Sequence, residues 1–208
     1  MGDLLRQVYE HPNATIAGVW DPDPKRMVGA GKKFAIPDDL LFTDLEECVS
    51  RTRPDIAIIC SSTAEHATLV ERLAPHVQAI IVEKPFATSL SQADIMIAAM
   101  KDKMLAVNWP LAWYPCHNTA KRLIDEGRIG PVREVHYYDG NRGPLYHLAD
   151  KMEREPGPSE KANSWWYTKS AGGGSLLDYL GYGVTLGTWF LDGRSPSEIT
   201  TIAGGDSS

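Results

Sequence analysis

Residues 80–86 read IIVEKPF. Three β-favouring apolar side chains run straight into a carboxylate, an ammonium and a residue with no backbone N–H to donate. Strands that finish at an ordinary surface turn use Gly, Asn or Ser, so the question is what Lys84 faces. The run is continuous rather than alternating, as in strands of parallel sheets that are buried on both faces. Residues 56–62, IAIICSS, have the same texture, and residues 104–109, MLAVNW, close the series. The intervening stretches TAEHATLVERLAPHV and SLSQADIMIAAMKDK carry helical periodicity. Strands alternating with helices of about a dozen residues predict right-handed crossovers and a parallel sheet.

Working outward, residues 14–21 (ATIAGVWD) read as a further strand ending in Asp21, after a short helix that His11-Pro12-Asn13 stops. PKRMVGAGKKF and LEECVSR read as helices, the first fraying at its glycines. From about Tyr114 the texture changes. NTAKRLIDEGRIGPV is helical with a glycine stop, and VREVHYYDG alternates as a strand of a more exposed, antiparallel sheet would. Residues 139–174 are rich in Gly, Pro, charge and Trp and read as a long loop region. SLLDYLGYGVTLGTWFL is a helix with a buried face, and SEITTIAGG one more strand.

The 208 residues carry 43% hydrophobic and 23% charged side chains, the composition of a globular protein with a real core. A net charge of −6 argues against nucleic acid or an anionic membrane as the main partner. Cys48, Cys60 and Cys116 are odd in number and widely spaced. They suit reduced thiols in a cytoplasmic protein, not a disulfide framework or a metal site.

Several residues lie where such a fold does chemistry. Open parallel sheets bind ligands beyond the carboxyl ends of their strands. Asp21 has the position of an acid that hydrogen-bonds the adenine ribose in dinucleotide-binding units; Asp21-Pro22-Asp23-Pro24 is equally a plain turn. Counting back from Asp21 about 20 residues reaches Met1-Gly2, so Gly2 is read as a remnant of a glycine-rich phosphate turn. The expectation is that the front of that motif and the first strand are missing from this chain. Gly29-Ala30-Gly31 imitates the motif but follows no strand. Ser61, Ser62 and His66 follow one strand end, with a core or surface histidine as the plainer reading of His66. Glu83 and Lys84 follow another, where Pro85 fixes the turn and a desolvated lysine has its pKa pushed down toward a range useful for proton transfer. The alternative for Glu83 is a surface ion pair with a basic neighbour.

ATIAGVWD, CSSTAEH, VEKPFA and AGGGSLLDYLGYG, in that order along the chain, together resemble the Gfo/Idh/MocA oxidoreductase family; RLIDEGRIGPVREVHYYDG resembles the start of its second domain. The resemblance covers almost the whole chain. It implies a Rossmann-like α/β domain over residues 1–113, then part of an α/β domain with a mostly antiparallel sheet over residues 114–208. It implies hydride transfer between NAD, or NADP, and a hydroxyl or carbonyl of a sugar, inositol or related polyol. Lys84 would position substrate and move a proton; Asp178 and the residue four positions on would contact the reacting hydroxyl. The family's histidine at that later position is here Tyr182, whose hydroxyl is a better acid than base at neutral pH or a packing group. That substitution leaves open a non-catalytic dinucleotide- or sugar-binding protein, and the expected missing segments leave open an inactive truncated product. Trp165 and Trp166 read as a stacking surface for a sugar ring or as packing of a long loop. A homo-oligomer joined through the second domain's sheet is expected.

Overall fold

The computed structural model describes residues 7, 8, 10–138 and 157–202. They fall into two compact units: Met1–Asn108 with Pro156–Gly174, and Trp109–Glu155 with Ser175–Ser208.

In the first unit the elements run β1 (Val19–Trp20), α1 (Pro24–Phe34), β2 (Leu41–Phe42), α2 (Leu45–Thr52), β3 (Ile56–Ile59), α3 (His66–Leu73), β4 (Ala79–Glu83), α4 (Leu90–Ala99) and β5 (Met104–Asn108). The helices begin where side chains satisfy otherwise unpaired amides. Asp23 accepts from the Lys25 amide at 2.9 Å with Pro24 at the first helical position, Asp44 accepts from Glu47 at 2.7 Å, and Ser89 from Gln92 at 3.3 Å. α1 and α2 end on left-handed Ala35 and Arg53.

β3, β4 and β5 form a parallel sheet in sequence order, with Ile56 opposite Ala79 and Ala79 opposite Met104. β4 is the central strand, and its Ile80 and Val82 are fully buried with Val70 of α3, Met96 of α4 and Val77. Each such apolar side chain contributes about 1.5–3 kcal/mol through removal from water. The parallel α/β fold read from the sequence is therefore present. It is divided, however: β1 and β2 pair parallel with each other in a separate two-stranded sheet. Among the described residues no strand lies between the two sheets, and Ile56 and Ile58 of β3 remain 55% and 37% exposed.

Two readings are corrected here. The glycines of PKRMVGAGKKF do not fray the helix; they lie inside α1, and a Cβ on Gly31 would stand 2.8 Å from Leu41 Cδ1, so glycine lets α1 lie close against β2. The segment 139–174 is not all loop: α6 (Pro158–Ala162) and 3-10 turns at Trp165–Tyr167 and Lys169–Ala171 occupy its described end. Residues 139–156 lie outside the described residues.

The second unit contains a 3-10 turn at Pro110–Trp113, α5 (Pro115–Asp125) and α7 (Ser175–Phe190). Trp109 and Trp189 meet edge to face at 5.8 Å, Leu111 and Leu186 are buried, and α7 lies so close to Tyr137 that a Cβ on Gly183 would stand 2.6 Å from its ring. The two strands expected here, VREVHYYDG and SEITTIAGG, carry no ladder over their described residues. Alternation marks the face a segment would bury, but a strand exists only where a second backbone supplies its hydrogen bonds.

Candidate active site

The parallel register puts the carboxyl ends of β3, β4 and β5 side by side, at strand spacings of about 4.8 Å. Cys60, Ser61 and Ser62 follow β3; Glu83 ends β4 with Lys84 after it; Asn108 ends β5. Glu83 and Asn108 are register partners, and Asn108 Nδ2 donates to Glu83 Oε1 at 2.8 Å. The Glu83 carboxylate thus accepts across the sheet instead of forming the surface ion pair considered above. Lys84 is half-buried, and its bond to Pro85 is cis.

His66 is the first residue of α3 and only 1% exposed. Its Nδ1 lies 3.1 Å from the Phe86 carbonyl oxygen and its Nε2 3.4 Å from that of Ser61. Burial pushes its pKa below the usual histidine value, against the opposing pull of the Phe86, Ser61 and Pro85 carbonyls and the Glu83 charge. Burial likewise raises the Cys60 thiol. Ser61 and Ser62 are half-buried, and Ser61 Oγ donates to the Ser62 carbonyl at 3.2 Å.

Asp21 closes the end of β1 and is 6% exposed. Its Oδ1 accepts from the Asp23 amide at 2.9 Å, and its Oδ2 meets the exposed Arg26 guanidinium at 3.4 Å. The carboxylate therefore shapes its own turn. Gly2 lies outside the described residues.

Trp165 and Trp166 belong to the first unit. Their rings tilt against each other at 5.1 Å and are half-buried. Their carbonyl oxygens press on Gly173, where a Cβ would stand 2.3 and 2.4 Å away. Gly172, at φ +79°, packs against Thr63 and Thr88. Thr63 is fully buried beside this contact, and its hydroxyl has no hydrogen-bond partner among the described residues. Neither Asn108 nor this glycine dock was singled out from the sequence. The Asn-Trp at the end of MLAVNW, at the same sheet edge as Glu83-Lys84, was the available signal for Asn108.

In the second unit Asp178 and Tyr182 are half-buried and one helical turn apart on α7, a rise of about 6 Å. The Tyr182 ring lies 6.4 Å from that of Tyr179. Among the described residues no group of three or more metal-ligating side chains occurs, and no helix is long and apolar enough to cross a membrane.

Residues 2–109 match the family described as "Oxidoreductase family, NAD-binding Rossmann fold", and residues 117–205 match the "GFO/IDH/MocA C-terminal domain". The chain belongs to the Gfo/Idh/MocA oxidoreductase family. It is 32% identical over 119 residues to D-apiose dehydrogenase of Paraburkholderia graminis, covering 56% of this chain and 31% of that one. It is 24% identical over 195 residues to scyllo-inositol 2-dehydrogenase (NAD(+)) of Bacillus subtilis, covering 93% of this chain and 50% of that one. Aldose-aldose oxidoreductase from Caulobacter crescentus, solved with glycerol, shares the fold at a TM-score of 0.69 and 19% identity, over 90% of this chain and 52% of that one. The chain spans about half the length, or less, of the curated relatives it matches.

The family's cofactor is NAD, and the chemistry of the sheet edge fits it. A largely buried carboxylate at the end of β1 is an acceptor for ribose hydroxyls, and its contact with the Arg26 side chain is long at 3.4 Å. Polar or charged groups stand at the carboxyl ends of β3, β4 and β5, where a dinucleotide lies in sheets of this class.

Proposed function

We propose that the protein takes part in hydride transfer between NAD and a hydroxyl or carbonyl group of a sugar, inositol or related polyol. The observation that carries this reading is Lys84, half-buried at the carboxyl end of the central strand between two anchored neighbours, Glu83 and Phe86. NAD, when bound, supplies the hydride acceptor. Asp21 accepts hydrogen bonds from the adenine ribose, which favours NAD over NADP. Ser61, Ser62 and Glu83 border the nicotinamide end. Oxidation of an alcohol releases a proton as the hydride leaves, and Lys84 as a neutral amine takes it; in reduction the ammonium returns it to the carbonyl oxygen. Asp178 and Tyr182 orient that oxygen from one face of α7, with Tyr182 as a hydroxyl donor. The D-apiose and scyllo-inositol dehydrogenase relatives support the substrate class.

In this reading residues 1–113 carry the dinucleotide and residues 114–208 the substrate and subunit contacts. The stripe Leu176, Leu180 and Val184, exposed along α7, supports a homo-oligomer, and three free cysteines support a cytoplasmic setting. Trp165 and Trp166 serve as the wall of a sugar site more through their packed position than through a free ring face.

The test follows NADH absorbance with a panel of aldoses, inositols and polyols. A substrate is expected, and Lys84→Met should lower kcat by roughly 100- to 10,000-fold, the range for loss of a general acid–base. Undiminished turnover in Lys84→Met, or none with any panel member in the wild type, overturns the reading.

A further inference from the structure

His66 is at first sight a cofactor ligand, since it follows a strand end. Its surroundings say otherwise. The ring is 1% exposed, on the helix whose Ala67 and Val70 belong to the buried core, and both nitrogens face backbone carbonyl oxygens. A carbonyl only accepts, and a neutral imidazole has one N–H to give. Burial and the adjacent N-terminus of α3 both disfavour the imidazolium. The shorter contact takes the proton: Nδ1–H donates to Phe86, and Nε2 faces Ser61 at a distance too long to be a strong bond.

Those two carbonyls belong to the loops that leave β3 and β4 at the carboxyl edge. Lys84 therefore lies between two pinned points. On one side the Glu83 side chain is held by Asn108 at 2.8 Å, and on the other the Phe86 backbone is held by His66 at 3.1 Å. We propose that His66 is a positioning residue that fixes the Glu83–Phe86 turn, and with it the Lys84 amine, through the Nδ1–H to Phe86 bond. It touches neither cofactor nor substrate. The catalytic part of this inference rests on the role given to Lys84 above; the clamp itself does not. Displacing a catalytic group by about 1 Å can cost on the order of 100-fold in rate.

The test exploits the two nitrogens. An asparagine amide nitrogen falls where Nδ1 lies, a glutamine amide nitrogen where Nε2 lies, and leucine supplies neither. Backbone hydrogen exchange and steady-state kinetics are measured for His66→Asn, His66→Gln and His66→Leu in the full chain. The Leu and Gln variants should exchange faster than wild type across residues 83–87. Their kcat should fall by about 10- to 100-fold, with the NAD dissociation constant moving less than about threefold. His66→Asn should keep the exchange protection and most of the rate. Unchanged exchange across 83–87 in His66→Leu, or equal impairment of the Asn and Gln variants, overturns the clamp. If His66→Leu fails to fold, the Asn–Gln contrast still decides. If the wild type turns over no polyol, the dehydrogenase reading falls while the exchange arm still judges the clamp.

Discussion

A histidine sealed in the core ties folding to pH at a single residue. The ring is neutral when folded, because burial lowers its pKa below the ordinary histidine value of 6.5 that it recovers on unfolding. Between those two values the unfolded chain binds the extra proton, so acidification favours unfolding. The stabilisation is complete above about pH 6.5 and is lost as pH falls from there through the folded-state pKa. Glu83, the charged group facing the ring, opposes the shift without reversing it. The melting temperature of the wild type should therefore drop between pH 7 and pH 5, and His66→Asn, which has nothing to protonate, should show a shallower drop. Parallel melting curves for the two proteins across that interval would count against burial as the source of the slope.

Among the elements, the contact between residues 171–174 and the loops after β3 and β4 depends on a missing side chain. Gly172 has φ +79°, and a Cβ there would stand 2.5 Å from Thr88 Cγ2 and 2.8 Å from Thr63 Cβ. Gly174 also has a positive φ, +112°, but an added Cβ would meet nothing within 4 Å. Comparing the two separates backbone strain from crowding. Overpacking costs roughly 1–3 kcal/mol and a left-handed non-glycine residue about 1–2 kcal/mol. Gly172→Ala should lower the urea midpoint by both contributions, Gly174→Ala by the backbone contribution alone. Equal midpoints would mean that the segment is not docked as tightly as the geometry requires.

The same elements show what the sequence can carry. IIVEKPF and IAIICSS announce buried parallel strands because a strand covered on both faces must be apolar throughout; both are parallel strands here, but Ile56 and Ile58 of β3 stay exposed. Leu41–Phe42 was not legible, since two residues hold no period. Lys84 was legible as a strand-end lysine. Its anchors were not: Asn108 meets Glu83 through a register 25 residues apart, and His66 works through carbonyls that any sequence possesses. Gly31 and Gly172 read as punctuation in one dimension and act as close approaches in three.

The whole chain is not built in sequence order. Pro156–Gly174 belongs with Met1–Asn108, although Trp109–Glu155 separates them along the backbone. One cut after the last strand of the parallel sheet therefore cannot release the first unit intact. It removes Gly172 from Thr63, a residue with no exposed surface at all, and from Thr88 beside it. Water then reaches the 3-10 turn Thr63–Glu65 that opens α3, the helix whose Val70 and Leu73 cover the sheet. Because domains hold only about 5–15 kcal/mol of net stability, losing one docked segment is a sizeable fraction of the whole. A fragment of residues 1–113 should thus melt below the 208-residue chain, with its largest gain in amide exchange at residues 63–65 and 88 rather than at β4. Exchange that rises evenly over the fragment, or that leaves residues 63–65 as protected as in the full chain, would show that the first unit does not need its second segment.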